Sequence, residues 1–185
     1  MAGAATPMLE IFQWLIVQLA AFQAVLLLAS ALHKMARPDR ARTVVHDFAG
    51  VPSRIAVAAT VLIAAAEALA GLLLWTQPYR AAGGALAALI WSAYLFLILR
   101  AIAQGRRDVD CGCSFGAALR PLGAYHVGRN MWLAGMASLV AAVSAASGGG
   151  PVLGSQILAA IALLALYGAL DQAMALTPPR TGELL

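Results

Sequence analysis

The sequence predicts an all-α, polytopic membrane bundle, and three observations lead there. The chain is 62% hydrophobic and only 11% charged, too little polar surface to coat a water-soluble globule of 185 residues. Its apolar residues fall into blocks of roughly 20, the length of helix needed to cross about 30 Å of hydrocarbon. The blocks are rich in Ala and Leu and lack the alternating polarity of barrel strands.

Five blocks are expected to span, at about 9–32, 55–75, 81–103, 128–147 and 153–176. Four form the core and the last adds a fifth. The first block is too long for the apolar region of a signal peptide and carries Glu10 rather than basic residues at its start, so it reads as a span. The fourth is the shortest and reaches full length only if Gly128, Arg129 and Asn130 begin the helix at headgroup level. Small residues on every block allow close backbone approach. No internal repeat is evident, and residues 1–185 read as a single membrane domain.

Between the first two blocks lies "HKMARPDRARTVVHDFAGVPSR", with "ARTVVHDF" set between Pro38 and Pro52 as a short interfacial helix. "TQPYR" and "SGGGPVLG" are tight turns at the opposite end. The segment from Gln104 to Val127 is longer than ordinary connections, and loops of that length are usually functional or disordered.

The pI near 9.6 comes from two clusters: Lys34, Arg37, Arg40, Arg42 and Arg54 after the first block, and Arg100, Arg106, Arg107, Arg120 and Arg129 around the long loop. The other connections hold Arg80 alone. That asymmetry is an orientation signal rather than a nucleic-acid footprint. It puts both basic loops in the cytoplasm and the N-terminus outside.

The long loop carries Cys111 and Cys113, the two cysteines of the chain, in "DVDCGCSFG". A disulfide across one intervening residue is strained and therefore easily reduced. Gly112 eases the backbone, while Arg106 and Arg107 favour thiolate and Asp108 and Asp110 oppose it. Two other readings stay open. The pair is inert in a reducing compartment, or it joins His126 and Asp110 around a metal, although zinc loops more often show two matched cysteine pairs.

Glu67 falls in mid-block, where an ionised side chain costs about 2.5–3.5 kcal/mol and must face protein or water. It is either a proton relay or quinone contact, or a hydrogen-bonded packing residue. Gly71, one turn on, opens space for a neighbouring helix or a ligand beside it. His33 and Lys34 are expected to snorkel to the interface, and Asp171 and Gln172 to meet headgroups. Gln18 and Gln23 are expected to bond between helices. Trp75 and Trp132 sit near block ends as belt residues.

"CGCSFG" ahead of a helix beginning "HVGRNMWL", "ALHKM" at the end of the first block and "EALAG" in the second together resemble the MauE family of methylamine-utilisation membrane proteins, within the DoxX-like redox-associated group. The likeness runs from about residue 9 to 147, departing at Ser114 between the second cysteine and Phe-Gly. The resemblance implies a maturation factor of the bacterial inner membrane. It would act with a thioredoxin-like MauD-type partner on the disulfide-rich small subunit of methylamine dehydrogenase. Cys111 and Cys113 would be the redox pair, with Arg129 and Asn130 behind them. A weaker likeness to vitamin K epoxide reductase implies quinone as an electron partner, with Glu67, Arg129 and Asn130 as its candidate contacts. The competing expectation is a scaffold that holds partner and client together with the cysteines incidental; a small transporter has little beyond Glu67 behind it. The charge rule and the resemblance pull apart on one point, since disulfide work on a secreted enzyme takes place in the periplasm.

Overall fold

A computed structural model describes residues 5–106, 122–147 and 154–176, with side chains described within 10–106, 122–146 and 154–173. All of its regular structure is helical: α1 Ala5–Ala36, α2 Pro38–Ala49, α3 Ser53–Trp75, a 3-10 turn Gln77–Tyr79, α4 Arg80–Ala103, α5 Ala124–Ser147 and α6 Gly154–Leu176. The five long apolar blocks are the five long helices. The expected interfacial helix is α2, which begins at Pro38 itself, where a missing N–H costs nothing. Gly50 ends it in the left-handed region at φ 67°, its N–H returning to the His46 carbonyl.

Four segments, Glu10–Ala36, Ser53–Trp75, Gln77–Ala103 and Gly154–Ala173, are long and apolar enough to cross a bilayer. The chain is a multi-pass membrane protein. Helix α5 matches them in length but carries His126, Arg129 and Asn130 in its first two turns. It begins four residues before the expected 128. Arg129 and Asn130 are both buried inside the bundle, Asn130 completely.

Helix α1 forms the centre of the bundle and packs against every other α-helix. Its inward stripe of Ile16, Ala20, Ala21, Ala24 and Leu27 is fully covered, and alanines on the partners, Ala70, Ala87, Ala137 and Ala160, meet it or one another. Without a hydrophobic drive between helices in lipid, such small residues provide the contact area by letting backbones close up. The tightest approach is α4 against α5: a Cβ on Gly84 would stand 2.7 Å from the Ala141 nitrogen and 3.0 Å from the Ala137 carbonyl oxygen. Gly71 does the same for α3 on α1, where a Cβ would stand 2.7 Å from Leu28 Cγ. The space foreseen beside Gly71 is filled by α1. Large apolar side chains such as Leu62, Leu72, Leu89, Phe96, Leu158 and Leu166 point outward, as a lipid-facing surface requires.

The helices alternate in direction, so α2, the end of α4, the start of α5 and the end of α6 share one end of the bundle. The 3-10 turn and the start of α6 mark the other, where Gln18 of α1 donates to the Gln156 carbonyl. Arg80 departs from the sequence expectation of a lone charge in an outer turn. It is fully buried, and its Nε donates to the Leu74 carbonyl at 3.2 Å, covering the negative end of α3 with a cation.

Candidate functional site

At the α2 end, α4 closes in a defined turn. Gly105 takes φ 71° and donates to the Ile102 carbonyl, while Arg106 N–H reaches back to Ala101. This pair of bonds is the Schellman arrangement, which needs a residue without Cβ penalty at the left-handed position. The Arg106 guanidinium then donates to the backbone carbonyl of Asp47 on α2. On the far side of the segment, Leu122 is buried in a small apolar cluster with Phe48 of α2 and Ile98 and Ala101 of α4. Cys111 and Cys113, with Asp108, Asp110 and Arg107, lie outside the described residues, and both flanks of their segment are tied to α2.

Below this platform stands a buried polar cluster shared by three helices. Glu67 of α3 has no exposed surface. Its Oε1 accepts from Lys34 Nζ at 2.8 Å, Ser30 Oγ at 3.0 Å and the Tyr94 hydroxyl at 2.5 Å, and its Oε2 accepts from Lys34 at 2.9 Å. Lys34 also donates to Ser30 at 2.7 Å and lies 5.7 Å from the Tyr94 ring centre. A carboxylate with a cation and two hydroxyl donors has its desolvation offset by charge-assisted bonds. The snorkelling expected of Lys34 is therefore overturned: the ammonium turns inward onto Glu67. Helix α2 lies alongside α3 and against α1, so the end of α1 does not stand free. Ser30 and Tyr94 had no sequence signal beyond the requirement that a mid-membrane carboxylate find partners.

A second buried cluster joins α5 to α6. Arg129 Nη1 donates to Asp171 Oδ1 at 2.8 Å, with both side chains 5% exposed, and the Tyr125 hydroxyl donates to the same oxygen at 3.2 Å. Asp171 is thus an internal partner, not a headgroup-facing residue. Its depth was hidden because Arg129, 42 positions earlier, was itself placed at the surface. Asn130 donates to the His126 carbonyl at 2.8 Å. One level deeper, Gln23 joins three helices: its Nε2 donates to the Leu133 carbonyl at 2.9 Å and its Oε1 accepts from Trp91 Nε1 at 2.8 Å. The interhelical role foreseen for Gln18 and Gln23 is what these side chains do.

Glu67 and the pair Arg129 and Asn130, grouped as one candidate site from sequence, belong to separate clusters. Among the described residues α3 and α5 do not pack on each other, because α1 and α4 stand between them. Beside the Glu67 cluster, between α2 and helices α1, α3 and α4, opens a cavity of about 160 Å³ whose wall includes Lys34 and Tyr94.

The model of the family described as methylamine utilisation protein MauE matches residues 12–147. Methylamine utilization protein MauE of Methylophilus methylotrophus is 29% identical over 123 residues, 66% of this chain. That stretch spans 65% of the relative's own length. No solved structure matches. The family match takes in most of α1 and all of α2 to α5, and with them the Glu67 cluster, both anchored flanks and the cysteine pair between them; the chain belongs to the methylamine utilisation protein MauE family.

Proposed function

We propose that this chain is a maturation factor for methylamine dehydrogenase in the bacterial inner membrane, working by thiol–disulfide exchange through Cys111 and Cys113. A thioredoxin-like protein is its redox partner and the disulfide-rich small subunit its client. The thiolate of one cysteine attacks a disulfide sulfur of the partner or client, expelling a thiolate and forming a mixed disulfide. The second cysteine attacks the first, closes the Cys111–Cys113 disulfide and releases the other protein as a dithiol. Two electrons pass to that protein, which takes up two protons, and the reverse path regenerates the dithiol. The reading rests on family membership together with one observation: the segment bearing the pair leaves α4 through a defined Schellman turn, with Arg106 bound to Asp47 and Leu122 packed against Phe48. In this reading Glu67 is the proton-handling group, through the hydrogen-bonded chain from Tyr94 to Lys34.

Single Cys111→Ser and Cys113→Ser variants, expressed with the partner and client, test it. One of the two should accumulate a mixed disulfide visible on a non-reducing gel, and both should lower the yield of active dehydrogenase. If neither forms an adduct and the double variant matures the client fully, the chain acts as a scaffold and the exchange mechanism is wrong.

A further inference from the structure

The cavity beneath α2 touches both halves of the proposed chemistry. On one side its wall includes Phe48 of α2 and Ile98 of α4. Those two side chains share an apolar cluster with Leu122, the first described residue after the segment that bears the cysteines. On the other side the wall includes Lys34 and Tyr94, both hydrogen-bonded to the buried carboxylate of Glu67. Val44, Ile63 and Leu97 give apolar surface between the two, and His33, Arg37 and Arg40 complete the corner of α1 and α2. The volume, about 160 Å³, is close to that of an apolar cavity of about 150 Å³ that takes up benzene. One six-membered ring fits it. Helix α2 turns Val44, Val45 and Phe48 inward and leaves Arg42, Thr43 and His46 exposed, the pattern of a helix lying in the membrane interface. The space below it is therefore open in depth to a molecule dissolved in the bilayer.

A saturated chain would fill the volume but make no use of a lysine and a phenol joined to a buried carboxylate. A water-soluble oxidant would meet those groups but leave the valine, isoleucine and leucine walls against a polar surface. A quinone suits both, being an apolar ring whose two oxygens take up protons on reduction. From this juxtaposition we propose that the cavity is a quinone site, with Lys34 and Tyr94 as the proton donors to the ring oxygens and Glu67 holding both donors in place. Taken with the thiol–disulfide exchange on which it rests, the site sets a direction. Closing the Cys111–Cys113 disulfide gives up two electrons and two protons, and reduction of a quinone to the quinol consumes two of each. The pair then oxidises the dithiol of its protein partner and returns to the reduced state. Lys34 and Tyr94 recover their protons from water at the α2 end, where the thiols release the same number.

Binding is tested first on the full-length C111S/C113S variant in detergent, where no exchange can take place. A short-tailed azido-ubiquinone should, on illumination, label peptides of α2 or α4, and excess unmodified ubiquinone should lower that labelling at least tenfold. Filling the cavity with Ala59→Phe should abolish it; Ala41→Leu, a milder change on the α2 wall, serves if the first variant fails to fold. Label spread equally onto lipid-facing α6, or unchanged by both filling variants, would overturn the site. So would displacement by dodecane as effective as that by ubiquinone, which would assign the cavity to a hydrocarbon chain. The second measurement uses the unsubstituted chain with its cysteines reduced. One quinol should form for each disulfide closed. Tyr94→Phe and Glu67→Gln should each slow quinol formation at least tenfold more than they slow reaction of the thiols with a small soluble disulfide. A chain that takes the label but forms no quinol would overturn the redox role of the site. Exchange with a thioredoxin-like protein in a chain that takes no label would overturn the quinone site and leave the exchange standing. Labelling and quinol formation without such exchange would uphold the site and remove the protein partner.

Discussion

Lys34 of α1 and Glu67 of α3 form an ion pair at 2.8 Å, with the carboxylate fully buried and the lysine side chain 14% exposed. Glu67 lies fourteen residues after Ser53, about 21 Å along α3, so the pair is an internal joint between two helices rather than a surface contact. Removing one partner leaves an uncompensated charge in a poor solvent. Lys34→Met or Glu67→Leu alone should cost about 3 kcal/mol, and the double variant should recover much of that loss. Thermal unfolding in detergent, followed by tryptophan fluorescence, reads the difference; equal losses in both singles and a larger loss in the double would mean that the pair does not act as a unit.

Glycines on neighbouring helices make a second prediction by contrast. Gly84→Ala puts a methyl against the backbone of α5, where no flexible side chain can give way, and should lower stability by about 1–3 kcal/mol. Gly135→Ala meets nothing within 4 Å and should be neutral or slightly stabilising, as expected where a glycine interrupts a helix. Similar melting temperatures for the two variants would contradict the α4–α5 packing.

Gln23→Leu strips the acceptor from Trp91 Nε1 while leaving its N–H buried, and should cost about 1–3 kcal/mol. Adding Trp91→Phe removes the orphaned donor and should return part of that stability, so the double variant should melt above the Gln23→Leu single. A double variant less stable than either single would argue that Gln23 acts mainly through Leu133.

The first basic loop and the helix ends that flank the second share one end of the bundle, so a cysteine at Thr43 on α2 in a chain lacking Cys111 and Cys113 should react with an impermeant thiol reagent from the same side as the native pair. A cysteine at exposed Gln77 should react from the other side. Labelling of intact cells against permeabilised cells separates them and also reports on which side the native pair meets its partner. Reaction of positions 43 and 77 from one side would break the alternating arrangement of helices.

The helices were legible because each apolar block is long and bounded by Pro, Gly or charge, and α2 because two prolines bracket it. What escaped was depth. Lys34, Arg80, Arg129 and Asp171 all stand near block ends, and in a membrane sequence a charge near a block end reads as surface. Each is buried because something out of register covers it: α2 over Lys34, the last turn of α3 over Arg80, and opposite charges facing each other across α5 and α6. The grouping of Glu67 with Arg129 and Asn130 failed for a related reason. Residues of similar chemistry in one chain carry no mark of which pair of helices stands between them.

Helix α6 lies beyond the stretch that the family model covers, rests on α1, and meets α5 through the Arg129–Asp171 bridge. For a helix with two neighbours and hydrocarbon around it, that bridge acts as a latch against sideways diffusion. Sliding α6 away would part Arg129 from Asp171, so the bridge adds an electrostatic hold to the packing of α6 on α1.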